Sequence, residues 1–234
     1  MQTAQPLNVS RSPIYFFLLF LVVLIGFYPS YFARLTQLDP KHHFHGILAT
    51  GWMLMLVVQS WLASRRKIYI HRTIGKLSLV IVPLFIVSGI MIMHTMLASH
   101  GGFTKAFGSR LAFVDMTTLM GFALAYCLAI HFRTNRAVHS RWMACTALLA
   151  LPPAVARLFM NFIPGIDSFP AAFHASYFST EILAVILIAN DINLKKVKTP
   201  YWMALGVLLV QHVSFLLLQQ FPAWTAFTVW LGSL

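Results

Sequence analysis

The 234-residue chain is 59% hydrophobic and 9% charged, with a mean hydropathy of +0.77. Soluble domains carry about 25% charged residues, so a soluble globule is excluded and an integral membrane protein is expected. A net charge of +12 would suggest nucleic acid in a soluble protein, but apart from Arg157 these basic residues fall in or beside the connections between apolar runs; no nucleic-acid binding is expected, and anionic lipid at the loops is.

In chain order, apolar runs of the roughly 20 residues that a helix needs to cross hydrocarbon occupy positions 14–33, 43–63, 77–98, 110–132, 142–163, 172–190 and 201–221. With short connections and no low-complexity stretch, residues 1–234 read as a single all-α domain, a bundle of seven transmembrane helices. The first run has no strong basic leader and no small-residue cleavage site, so it reads as an uncleaved helix. The second opens on the cluster His42, His43 and His45 and closes on Arg65, Arg66 and Lys67. The third follows His71 and Arg72 and carries His94 near its far end, with His100 in the connection beyond. Asp115 lies about one turn into the fourth. The fifth is broken by Pro152 and Pro153 one turn before Arg157, and Asn161 follows four residues later on the same face. The sixth sets His174, Tyr177 and Glu181 along one face, and the seventh carries His212. The tail 222–234 opens on a proline and is too short to cross again, so it is expected in the interface with Trp224 and Trp230 at headgroup depth. Cys127 and Cys145 lie inside apolar runs without redox or zinc spacing and read as packing thiols.

Arginine and lysine counts orient the bundle. One side collects Arg11, the group Arg65, Arg66, Lys67, Arg72 and Lys76, then Arg133, Arg136 and Arg141, and finally Lys195, Lys196 and Lys198: twelve residues, against four (Arg34, Lys41, Lys105, Arg110) on the other. The basic side is expected to be cytoplasmic, which puts the N-terminus inside and the C-terminus outside. Trp61, Trp142 and Trp202 then fall at cytoplasmic helix ends, as an aromatic belt requires.

With that orientation, His45, His94, Asp115, Arg157 with Asn161, and His174 lie at a similar outer depth on five helices. They predict an outer-facing pocket, supported by Tyr177 and by Trp52 and Gln59, which continue the His45 stripe at seven-residue steps. Glu181 and His212 reach the midplane together and form a second expected pair. Structural alternatives stand beside these: Arg157 as a tie to Asp115, and Glu181 with His212 as interhelical glue. His42, His43 and His100 read as solvated, and His71, His131 and His139 as contacts to lipid phosphate.

Imidazole is a common ligand for iron, copper and zinc and brings no charge into the membrane. Haem b would take His45 with His94 or His174, and Arg157, Arg110 or Lys105 would meet its propionates. A transition metal would take His45, His94, His174 and Asp115. No glycine-rich phosphate loop, H-E-x-x-H or G-x-S-x-G motif occurs.

The set His45, Gly46, Trp52, Gln59, His71, Arg72 and Gly75, followed by His139, Arg141, Met143, Pro152, Pro153 and Arg157, resembles a family of bacterial multipass membrane proteins known as a domain of unknown function. The resemblance covers residues 42–163; it implies a bundle in the bacterial inner membrane and no particular activity. The same spacing is similar in a general way to membrane b-type cytochromes and haem A synthases, but this chain lacks a pair of histidines on each of two helices. Three functions follow as expectations. One is a haem- or metal-binding protein of electron transfer or respiratory-complex assembly; the second is a proton-coupled transporter using Glu181 and His212, and the third a non-catalytic scaffold.

Overall fold

The computed structural model describes residues 11–99, 101–194 and 199–234. Among these residues the chain forms ten α-helices and no strand. Six stretches are long and apolar enough to cross a membrane: Ser12–Arg34, Pro40–Ser64, Ile68–Ala98, Thr104–His131, Phe169–Asn193 and Thr199–Gln220. A seventh candidate is the pair α6 (Arg136–Ala150) and α7 (Pro152–Phe162), bent by 43° at Leu151. The protein is therefore a multi-pass, all-helical membrane protein with six or seven spans; each expected run is helical over most of its length, the first giving way to a turn after Phe27 and the fifth broken at Leu151. His100, Lys195, Lys196 and Lys198 lie outside the described residues.

Local chemistry sets the helix ends. The first helix, α1 (Ser12–Phe27), has a proline in its first turn. The second, α2 (Pro40–Ser64), is capped by Asp39, whose side chain accepts from the His42 backbone N–H at 2.9 Å. That hydrogen bond also holds the Asp39 carboxyl below its ordinary range. Because the cap lies ahead of the histidines, His42, His43 and His45 are helical residues and not a loop, and His42 and His43 are half-buried. After α2 the chain reverses through Arg66, whose φ of 56° is left-handed. It then runs through α3 (Ile68–Gly75) into α4 (Ser78–Ala98). Asn135 and Ser168 cap α6 and α8 (Phe169–Asn193) through their side chains. The break between α6 and α7 follows from Pro152 and Pro153, which have no N–H to continue the helix but suit the first turn of a new one.

Two apolar clusters meet on α5 (Ser109–His131). One joins α5, α6, α8 and α9 (Thr199–Leu217) through Trp142, Leu148, Phe173, Tyr177, Leu208 and Phe215. The other joins α2, α4, α5 and α6 through Trp52, Leu56, Val82, Phe85, Phe122 and Tyr126. Large apolar side chains such as Ile47, Leu79, Met120 and Val213 stay exposed on the outer faces, as lipid contact requires. Helix α1 crosses α7 so closely that a Cβ on Gly26 would collide with the Ala154 carbonyl. At the end carrying the basic connections, Arg141 of α6 forks onto Asp191 of α8 with bonds of 2.7 and 2.6 Å, a bidentate pair that fixes the two helices together. The tail forms α10 (Pro222–Gly232), which packs on α4. Trp224 donates to the Ser109 carbonyl at 2.8 Å, while Trp230 stays exposed.

Candidate functional site

The three- and four-residue spacing on α8 turns His174, Tyr177 and Glu181 toward α9, where Gln211, His212 and Phe215 face back. His212 uses both ring nitrogens: Nδ1 lies 2.9 Å from Glu181 Oε1, and Nε2 lies 2.9 Å from His174 Nδ1. Glu181 and His212 are buried, and His174 is half-buried. If His212 Nδ1–H donates to the Glu181 carboxylate, its Nε2 must accept, so the His174 Nδ1–H donates to it and His174 Nε2 is the free end. Phe173, stacked on Phe215 at 3.9 Å and on Tyr177 at 4.4 Å, and Phe178, edge-on to His212 at 4.8 Å, wall this chain in aromatics.

Tyr177 extends the polar layer toward α5. Its hydroxyl donates to Gln211 Oε1 at 3.2 Å, and Gln211 Nε2 donates to Thr118 Oγ1 at 2.9 Å and Thr117 Oγ1 at 3.2 Å. Gln211 is fully buried and its amide is satisfied at both ends, so it fixes α9 against α5 and α8. Tyr177 stands within electrostatic reach of both Glu181 and Asp115.

The charge of Arg157 acts on both Asp115 and His45, with no hydrogen bond to either among the described residues. Arg157 donates to the Pro153 carbonyl at 3.0 Å and lies 4.5 Å from the centre of the Phe27 ring. Among the described residues it makes no ion pair with Asp115 within 4.0 Å. Pro153 sits in the first turn of α7, and its carbonyl accepts from the Arg157 guanidinium one turn later. His45 Nδ1 lies 3.0 Å from Ser88 Oγ, and its ring stacks on Phe85 at 5.3 Å. Asp115, Arg157 and His45 all keep partial accessible surface inside the helical frame. A carboxyl and a guanidinium in that setting, with no ion pair between them, are each costly when charged in an apolar interior, a cost that water or a polar solute between them would lower.

The expected residues therefore divide. His45, Asp115 and Arg157 share one side of the layer, and His174, Tyr177, Glu181 and His212 share the other. His94 is half-buried on α4 and belongs to neither. Asn161 is exposed and donates to the Arg157 carbonyl at 2.6 Å. Trp52 is a packing residue whose indole N–H donates to Thr146 Oγ1 at 3.3 Å. Gln59 lies two turns past Trp52, near the opposite end of α2. Among the described residues no three His, Cys, Asp or Glu side chains stand together so as to hold a metal ion, so the set His45, His94, His174 and Asp115 is not assembled. Gln211, Thr117, Thr118 and Ser88 escaped the sequence reading. Gln211 carried a signal, an amide beside His212 in an apolar run, whereas hydroxyls in membrane helices are too common to single out.

No protein-family model matches the chain, and neither a curated protein nor a solved structure does.

Proposed function

We propose that this protein is a proton-coupled transporter of the bacterial inner membrane, with the basic connections and the N-terminus in the cytoplasm. The polar layer would open outward. The observation that carries this reading is the unbroken link from Glu181 through His212 to His174, two contacts of 2.9 Å each.

A proton arriving at His174 Nε2 releases the His174 Nδ1 proton to His212 Nε2. His212 in turn releases its Nδ1 proton to Glu181, and both imidazoles end neutral with their tautomers exchanged. Glu181 becomes a neutral acid, which removes one negative charge from beside Tyr177 and, through it, changes the field at Asp115 and Arg157. Arg157, held by a carbonyl and a ring instead of a carboxylate, is suited to meet a small anionic solute from the outer side. The solute and the proton then occupy neighbouring parts of one layer, as coupling requires.

The test is proton flux into proteoliposomes that contain a trapped pH-sensitive dye. The wild-type protein should acidify the lumen under an imposed gradient, and Glu181→Gln and His212→Ala should slow this on the order of a hundredfold, the usual worth of a positioned proton-transfer group. Flux in Glu181→Gln equal to wild type would sink the proposal.

A further inference from the structure

His71 and His139 were expected to touch lipid phosphate at the basic end of the bundle. They turn inward instead. His71, on α3, sets its Nδ1 3.2 Å from the Gln59 carbonyl near the end of α2, and His139, on α6, sets its Nδ1 2.8 Å from the Ala129 carbonyl near the end of α5. A carbonyl only accepts, so both Nδ1 atoms carry the proton and both Nε2 atoms keep a lone pair. A histidine that donates one ring N–H to a backbone carbonyl is oriented and polarised for metal ligation through the other nitrogen. Here two such histidines, both half-buried, are neighbours in an edge-type contact, with ring centres 6.4 Å apart and ring planes at 79°.

That separation is informative. Two imidazoles bound through Nε2 at about 2 Å on opposite sides of one ion have ring centres roughly 6 Å apart, and at a tetrahedral angle about 5 Å. The observed spacing fits the opposed arrangement. A bare ion in that arrangement would lack its remaining ligands, and among the described residues no third His, Cys, Asp or Glu joins the pair. A tetrapyrrole supplies its own four nitrogens in the plane between two axial ligands.

Two further features fit such a guest. The Gln59 side-chain amide, on the residue whose carbonyl orients His71, has both its nitrogen and its oxygen buried without a hydrogen-bond partner. It adjoins Gly75 of α3, where a Cβ would come within 3.6 Å of Nε2. Arg72, Lys76 and Arg136 lie exposed around the same end and could pair with propionates. Arg141 is already committed to Asp191. We infer that His71 and His139 are the axial ligands of a b-type haem held between the α2–α3 and α5–α6 turns at the basic end. This site shares no residue with the Glu181 relay and stands or falls apart from it.

The experiment is expression with added haem precursor, purification of the full chain in detergent, and oxidised and dithionite-reduced spectra with a pyridine haemochrome assay. One haem per chain with a Soret band that moves on reduction is expected. His71→Ala and His139→Ala should each lose it, while Glu181→Gln keeps it. His71→Met should retain an iron ligand, giving a bound haem with an altered spectrum and a raised potential, which guards against variants that merely fail to fold. A wild-type protein that neither carries haem nor takes up added haemin overturns the inference. So does full haem occupancy in both alanine variants. If the two histidines only cap helices, their loss lowers the melting temperature with no chromophore present in any variant.

Discussion

The two ends of the bundle use paired histidines in opposite ways. Between α8 and α9 an imidazole bonds to an imidazole and then to a carboxylate, at 2.9 Å each. Every partner in that chain can both give and take a proton, so the protonation pattern is free to shift along it. Between α3 and α6 each imidazole bonds to a backbone carbonyl, and the rings stand 6.4 Å apart. A carbonyl does not titrate, so the tautomer is fixed and one nitrogen is held ready on each ring. The chemistry open to a histidine pair is thus set by what its bonded nitrogen meets: a titratable partner allows a proton relay, and a fixed acceptor leaves the other nitrogen available to a ligand.

The sharpest way to break this contrast is a double exchange of variants. His212→Ala should reduce proton flux on the order of a hundredfold and leave haem content at the wild-type level. His139→Ala should remove the haem and leave flux unchanged in protein that elutes as the same detergent-solubilised species. Loss of both properties in either variant would mean that the two ends are one coupled device, and the contrast drawn above would fail.

Next in size is the ion pair that braces the basic end. Asp191 is 3% exposed and takes both bonds from Arg141. Arg141→Ala leaves that carboxylate buried and unpaired, which costs about 3–5 kcal/mol and should appear as a large drop in thermal stability in detergent. Arg141 lies two residues beyond His139 on α6, so haem affinity should weaken with it, whereas flux per folded molecule should hold. Asp191→Asn keeps an acceptor for the guanidinium and should cost less.

The spans were legible because bilayer thickness leaves a simple mark, a run of apolar residues about 20 long. The polar layer was legible in part, since depth follows from position along a helix, and His45, Asp115, Arg157, His174 and Glu181 could be ranked by it. Rotation about the helix axis was harder. A residue's depth does not say which neighbour it faces, and so His94 was grouped with His45 and His174 although α4 carries it elsewhere. For His71 and His139 the sequence offered only a histidine followed by an arginine, just past a helix end. Basic surroundings favoured lipid phosphate, but tight reversals, through Arg66 after α2 and through Asn135 before α6, fold each histidine back onto a carbonyl of the helix it has just left. That return needs the turn geometry, which composition does not encode.

A smaller effect is expected at Gln211. Gln211→Leu keeps the volume but removes four bonds that position Tyr177 and α9, leaving the Tyr177 hydroxyl buried and unpaired. A loss of about 1–3 kcal/mol in stability follows. Flux should fall less than in Glu181→Gln, because Gln211 positions the relay and carries no proton itself. A fall as large as that of Glu181→Gln would place Gln211 and Tyr177 within the relay.

The smallest effect separates the two ends from the scaffold between them. Trp52 lies on α2 about 10 Å from His45 toward one end and about 10 Å from Gln59 toward the other, and its indole N–H reaches across to Thr146 of α6. Thr146→Val keeps the shape of the side chain and removes the acceptor. The indole N–H is then unpaired in a dry core, but interhelical bonds of this kind in membranes average only about 0.6 kcal/mol. A slight drop in melting temperature, with haem content and proton flux both unchanged, is the expected result. A change in either function would show that α2 and α6 transmit between the histidine pairs. The fixed and the titratable pair would then be two states of one mechanism joined through Trp52.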